Sequence, residues 1–203
     1  MKKTRVLVLG NDPQINQIDF DKLAPDVITI GVNRIWLKHI PNYFFFNDYD
    51  IVEDLDAAPE IRANLIQKSS IFASDWLRPS AKKRNVNIPS WVKVFERANK
   101  LQFPDSVSTG LQIFSREYCP QANCIFYIAG VSLTWQEPSH FWKTADHRTR
   151  NNHGGDWYTP RFDKMINNFR RLKGLGYTMV SVNPNSALNK FIRYENIGNL
   201  YRK

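Results

Sequence analysis

No apolar run in the sequence approaches the roughly 20 residues that a membrane-spanning helix needs. The run at 6–10, behind a basic Met1-Lys2-Lys3 start, is too short for the core of a secretion signal. Cysteine is nearly absent: Cys119 and Cys124 are the only two, and they read as packed thiols of a protein in a reducing, cytoplasmic setting. Glycine is sparse, at 9 of 203 residues, with no G-x-G-x-x-G and no glycine-rich run ending in Gly-Lys-Ser/Thr. A dinucleotide fingerprint needs its later glycines for backbone approach to a pyrophosphate, and a P-loop needs its lysine at the phosphates. NAD enzymes and P-loop kinases therefore drop down the list of candidates. There is also no internal repeat and no low-complexity linker.

Acidic residues are the minority, 19 against 28 Lys and Arg, and the imbalance is uneven. Residues 1–60 hold six basic and ten acidic side chains, a net of −4, while the rest of the chain holds 22 and nine, a net of +13. Such asymmetry points to an anionic partner on the C-terminal two-thirds. The densest stretch, 78–100, carries Arg78, Lys82, Lys83, Arg84, Lys93, Arg97 and Lys100 against Glu96, with Trp76, Trp91 and Phe95 interleaved. Phosphate contacts with stacking aromatics suit a nucleic-acid groove, and equally a phosphorylated, lipid-linked glycan at a membrane face.

What the chain does have is a set of short apolar runs, three of which end on an asparagine. Residues 6–10 lead into Asn11, 27–31 into Asn33, and 43–46 into Asn47. Charge-free, β-rich runs of this length read as strands buried on both faces of a parallel sheet. Ligands in open α/β sheets bind beyond the carboxyl ends of the strands, and an amide offers a donor and an acceptor without a charge. Three such amides on consecutive strands outline a nucleotide-shaped pocket.

The remaining pattern completes a single α/β domain over 1–203, mainly parallel and Rossmann-like, with helices on both faces. Short helices are expected at 15–23, 34–38 and 60–67, further strands at 69–73 and 91–95, and otherwise irregular chain over 74–105. Ser108-Thr109-Gly110 opens a helix to about Tyr118 with hydroxyls placed to cap it, and 124–130 is a core strand. A long lid-like or acceptor loop spans about 132–159; a helix then starts at Pro160, a strand occupies 177–182, and Pro184-Asn185-Ser186 caps a last short helix.

Taken in order, Gly10-Asn11-Asp12-Pro13, Gly31-Val32-Asn33, Phe46-Asn47, Ser108-Thr109-Gly110, Ala129-Gly130 and Pro184-Asn185-Ser186 resemble the motifs of bacterial lipooligosaccharide sialyltransferases and related sialyltransferase-like proteins. The resemblance implies a metal-independent, inverting glycosyltransferase with a nucleotide-sugar donor. It would place Asn11 and Asn33 on the donor's phosphate and ribose, and Asn47 on the transferred sugar. Ser108, Thr109 and Gly110 would line the donor site, Gly130 would approach the nucleoside, and Asn185 and Ser186 would sit near the base or ribose. It also puts the catalytic histidine in the loop before the Pro160 helix, where His153 matches best and His147 second. The chain departs from the pattern in that loop: Trp135, Trp142 and Trp157 stand where tyrosines hold the leaving phosphate, with Lys143, Arg148 and Arg150 nearby to neutralise it.

Glycosyl transfer needs a base for the acceptor hydroxyl, a role a loop histidine fills. His140, His147 and His153 have no regular zinc-ligand spacing, and His39 reads as structural. Asp48-Tyr49-Asp50 after the third strand is the one place for a divalent metal, manganese or magnesium, although no cofactor is required by the resemblance. The expected partners are a nucleotide-sugar donor and an anionic acceptor, either a bacterial surface glycan or DNA bearing a hydroxymethylated base, with the protein cytoplasmic or peripheral at a membrane. Two other readings stand beside this one: a diphosphokinase similar to archaeal pterin enzymes, and a non-catalytic basic module that binds nucleotides or nucleic acid.

Overall fold

Burial on both faces of nearly every apolar run organises the sheet. In the computed structural model the described residues are 2–96, 105–134, 141 and 155–202, with only the backbone described at 155–158. The strands are β1 (Thr4–Leu9), β2 (Val27–Val32), β3 (Tyr43–Phe46), β4 (Ser70–Ser74), β5 (Lys93–Phe95), β6 (Cys124–Ala129) and β7 (Met179–Ser181). They form one sheet in the order β5-β4-β3-β2-β1-β6-β7, every neighbouring pair parallel. The chain builds outward from β1 to the β5 edge, then returns to lay β6 on the other side of β1. That reversal makes the β1/β6 boundary the topological switch point, where open α/β sheets form their crevice.

Both faces are covered. Leu7, Leu9, Phe44, Phe46, Ile71 and Ala73 point to one side, and Val6, Val8, Phe45, Phe72, Phe126 and Ile128 to the other. The first side meets α1 (Asp50–Asp56), α2 (Pro59–Lys68) and α3 (Leu77–Arg84) through Ile51, Leu55, Leu65, Leu77 and Ala81. The second meets α4 (Ser106–Glu117) and α5 (Gly155–Gly174) through Leu111, Phe114, Phe169 and Leu172. No helix among the described residues is long and apolar enough to cross a membrane.

Several sequence expectations shift. The helix expected at 15–23 is two 3-10 turns, Pro13–Gln17 and Phe20–Lys22, with extended Ile18 between them. Buried Ile15 and Ile18 lie three apart, which suits a three-residue turn. The stretch 74–105, expected to be irregular apart from one strand, contains α3; Pro79 is its third residue, where a missing N–H has no intrahelical partner to lose. α5 begins at Gly155, so Pro160 lies inside it rather than in its first turn. Phe162, Met165 and Ile166 join Phe169 and Leu172 in packing this helix, which offsets the lost backbone bond. Cys119 and Cys124, expected as separate thiols, are joined as a disulfide between the end of α4 and the start of β6, because the turn between them brings the two segments together. Of the loop expected at 132–159, residues 135–140 and 142–154 lie outside the described residues.

The cap of α4 is Asp105 rather than the hydroxyls of Ser108 and Thr109. The Asp105 carboxylate accepts from the Ser108 amide at 2.8 Å, from the Ser108 hydroxyl, and from Asn168 Nδ2 of α5 at 2.7 Å. Asp105, Ser108 and Asn168 are all buried, so this one carboxylate fixes α4 against α5. Removing the α5 donor with Asn168→Ala should cost about 2 kcal/mol of stability in urea unfolding, the worth of a hydrogen bond to a charged group. Burial raises the Asp105 pKa above its ordinary 3.8, and the bonds from Ser108 and Asn168 partly oppose the rise. The folded state thus holds the proton more tightly than the unfolded chain. The group's stabilising contribution is complete below the unfolded pKa and fades as pH climbs through the folded one. Asp105→Asn cannot titrate, so its stability relative to the native protein should grow with pH across that window, measured by denaturation at stepped pH.

Candidate functional site

At the switch point two backbones touch. The Gly10 amide donates to the Ala129 carbonyl at 2.9 Å, and the Asp12 amide to the Gly130 carbonyl at 3.0 Å. A Cβ on Gly10 would lie 2.3 Å from the Gly130 oxygen, and Gly130 itself has φ of +63° with Ile15 packed against it. No larger residue fits either place. Gln14 laces the strand ends together: its Oε1 accepts from the Gly130 amide at 2.7 Å and its Nε2 donates to the Val182 carbonyl at 3.0 Å. Asp12 accepts from the amides of Gln14 at 2.9 Å and Ser132 at 3.1 Å. On the far side, Ser186 donates to the Val131 carbonyl at 2.6 Å and caps the turn Ala187–Lys190, while Asn185 is exposed beside it.

Within this well-bonded loop cluster, Asn11 stands out. Its Oδ1 is buried and has no hydrogen-bond partner among the described residues, although its backbone carbonyl accepts from Phe141 at 2.9 Å. A buried unpaired acceptor costs about 1–3 kcal/mol, and one at a crevice is a vacancy for a donor such as a hydroxyl.

The other two strand-end asparagines are engaged through Oδ1. Asn33 sits in the left-handed region at φ of 52°, which an asparagine tolerates, and accepts from Ser106 at the start of α4 at 3.1 Å. Asn47 is buried and accepts from Ser74, at the end of β4, at 2.6 Å. The expected donor-site residues of α4 are all interior: Ser108 belongs to the Asp105 cluster, and Thr109 has a buried hydroxyl without a partner among the described residues. Gly110 lets α4 close on β3, since a Cβ there would meet the Phe45 ring at 2.7 Å. His147, His153, Lys143, Arg148 and Arg150 lie outside the described residues.

Asp48 and Asp50 part company. Asp50 opens α1 and pairs with Arg84 of α3, which also reaches Glu53 at 3.3 Å. The Asp48 carboxyl is pushed above its usual value, first by desolvation and then by the Asp50 charge, against the opposing pull of Arg34 and Arg84. Among the described residues no cluster of three or more His, Cys, Asp or Glu could hold a metal. His39 stacks on Phe20 with ring centroids 4.4 Å apart, and its Nε2 lies 3.5 Å from the Thr29 hydroxyl. It is packed structure, and desolvation lowers its pKa.

Sequence reasoning missed Gln14, Ser74, Asp105 and Asn168. Only Asp105 left a usable sign, as an aspartate three residues ahead of a serine at the head of an apolar helix. The unpaired Asn11 acceptor also has a measurable cost. Asn11→Leu keeps the branched shape and removes that acceptor, so the ligand-free protein should unfold at the same or a higher urea midpoint, a gain of about 1 kcal/mol at most.

No protein-family model and no curated protein matches the sequence. Solved structures do match in fold. The sialyltransferase CstII from Campylobacter jejuni, in complex with cytidine-5'-monophosphate, superimposes with a TM-score of 0.56 at 15% identity, covering 100% of this chain and 88% of that one. CST-II in complex with a trisaccharide acceptor and CMP gives 0.55 at 15% identity, covering 98% and 88%. The monofunctional alpha-2,3-sialyltransferase Cst-I from Campylobacter jejuni gives 0.55 at 12% identity, covering 99% and 82%. Across its whole length, the chain has the fold of these sialyltransferases.

Proposed function

We propose that the protein is a glycosyltransferase that moves a sugar from a nucleotide-activated donor to a hydroxyl of an anionic glycan. The observation that carries this is the buried, unpaired Asn11 Oδ1 at the β1/β6 switch point. It lies in a fold shared with enzymes solved with CMP and with a trisaccharide acceptor. A ribose hydroxyl of the donor would pair Asn11, with Asn33 and Asn47 at the next two strand ends toward the phosphate and sugar. Gly130 supports the nucleoside side of the crevice, and Asn185 and Ser186 flank it.

The transfer itself is a single displacement. The acceptor oxygen bonds to the anomeric carbon while the bond from that carbon to the phosphate oxygen breaks, inverting the centre. The acceptor proton passes to a histidine, assigned to His153 with His147 as second choice, and the nucleotide leaves with the electron pair. Lys143, Arg148 and Arg150 are assigned to the developing phosphate charge. This scheme requires no metal. Manganese or magnesium would meet Asp48 and Asp50, and Asp50 would first have to leave Arg84.

The glycan acceptor is preferred to DNA because the stacking surface that DNA would use is partly withdrawn. Trp91 packs against the core, and Phe95 contacts the rings of Phe72 and Tyr118 at 6.3 Å each.

Thermal unfolding against CMP, UDP, GDP and ADP, with and without manganese, tests the donor class. A cytidine nucleotide at about 100 times its Kd should add roughly 2.7 kcal/mol and raise the midpoint without metal. Donor hydrolysis should then fall by about 100-fold or more in His153→Ala, and strongly in Asn33→Ala. No shift with any nucleotide would overturn the donor assignment, ATP turnover strictly dependent on magnesium would replace it with diphosphokinase chemistry, and unchanged turnover in both variants would remove the residues from the site.

A further inference from the structure

α3 has two unlike faces. Leu77 and Ala81 are buried against the sheet, and Arg84 turns the same way to meet Asp50 and Glu53 and to cover the Tyr49 ring at 5.7 Å. Trp76, Pro79 and Lys83 follow at helical spacing on the opposite face, all exposed, with Arg78 and Lys82 exposed beside them. Asn85 ends the helix in the left-handed region, and Val86 follows it. Trp76 is 44% exposed and Val86 43%, so an aromatic and an aliphatic side chain stand in water at the two ends of a basic helix.

The charges on this face are not consumed by the fold. Arg78 pairs with Glu96 at 3.0 Å, whereas Lys82 and Lys83 have no ion-pair partner among the described residues. Exposed lysines bracketed by a tryptophan and a valine match a lipid headgroup layer: the ammonium groups meet phosphates, and the apolar side chains enter the interface. A nucleic-acid groove would need a row of outward aromatic rings, but of the three aromatics near this helix only Trp76 is exposed. Trp76 also holds a fixed place, its amide donating to the Ser74 hydroxyl at 3.3 Å, and that same hydroxyl donates to Asn47. The face therefore adjoins the carboxyl end of the sheet at β4.

We infer that the outer face of α3 docks on an anionic lipid bilayer, through Lys82 and Lys83 at the phosphates and Trp76 and Val86 in the headgroup boundary. Docked this way, the protein brings the strand ends of β3 and β4 to the membrane surface, within reach of a lipid-linked acceptor.

Co-sedimentation of the full chain with vesicles tests this without any nucleotide, so its outcome is separate from that of the donor experiments. The native protein should bind vesicles of phosphatidylcholine mixed with phosphatidylglycerol, not phosphatidylcholine alone, and should be released by high salt. Lys82→Ala with Lys83→Ala should weaken partitioning roughly 30-fold, from about a fivefold contribution per lysine near an anionic surface. Trp76→Ala should weaken it further, and brominated lipid should quench the native protein more than Trp76→Phe. A charge-matched control, Lys164→Ala with Arg170→Ala on α5, should bind as the native protein does. The inference is overturned if the native protein ignores anionic vesicles or if the α5 control loses as much binding as the α3 pair. It is overturned equally if single- or double-stranded oligonucleotides bind through Lys82 and Lys83 while vesicles do not.

Discussion

The contact of Gly10 with Gly130 is the constraint on which the rest of the site depends. A Cβ on Gly10 would come within 2.3 Å of a backbone oxygen, so β1 and β6 can diverge only after their backbones have nearly met. From that fixed point the loops leave in opposite directions, one through Asn11 and Asp12, the other through Val131 and Ser132. Gln14 and Asp12 then tie them together again by bonding across the seam. The crevice is thus rigid at its base, and rigidity there is what lets a single amide such as Asn11 be left without a partner. A mobile loop would turn such a group to water; this one cannot.

A second layer of order comes from α4, which is positioned from both ends of its first turn. Asp105 draws Ser108 and Asn168 together in the interior, and Ser106 reaches Asn33 at the end of β2. The helix therefore connects the α5 side of the molecule to one of the strand-end asparagines. The fold it completes is shared with sialyltransferases at 12–15% identity. At that identity the likeness is one of fold.

The central strands were legible because a parallel strand covered on both sides must be apolar at every position. Tyr43–Phe46 and Val27–Val32 could hardly be anything else. The three asparagines were visible for the complementary reason: a polar residue that closes such a run must sit at the strand's end. α1 was hidden because its apolar Ile51, Val52 and Leu55 are embedded among acids, and α3 because Pro79 and its lysines look like loop. Gln14 was beyond reach, since its meaning comes from Gly130, 116 residues away in sequence. The same holds for Ser106 and Asn33, 73 apart. Local pattern reveals what a segment must become; it carries no trace of the partner that a side chain will find across the fold.

The tight fit of Gly110 against Phe45 has one more consequence. Phe45 leans on Phe72 with ring centroids 5.2 Å apart, and it lies two residues before Asn47 on the same short strand. Space in the core is therefore a variable of the crevice itself. Bulk added at the helix would travel as displacement through the ring to the strand and so to the amide at its tip. The shape of this crevice can drift through changes in interior volume alone, with every residue that lines it left unchanged.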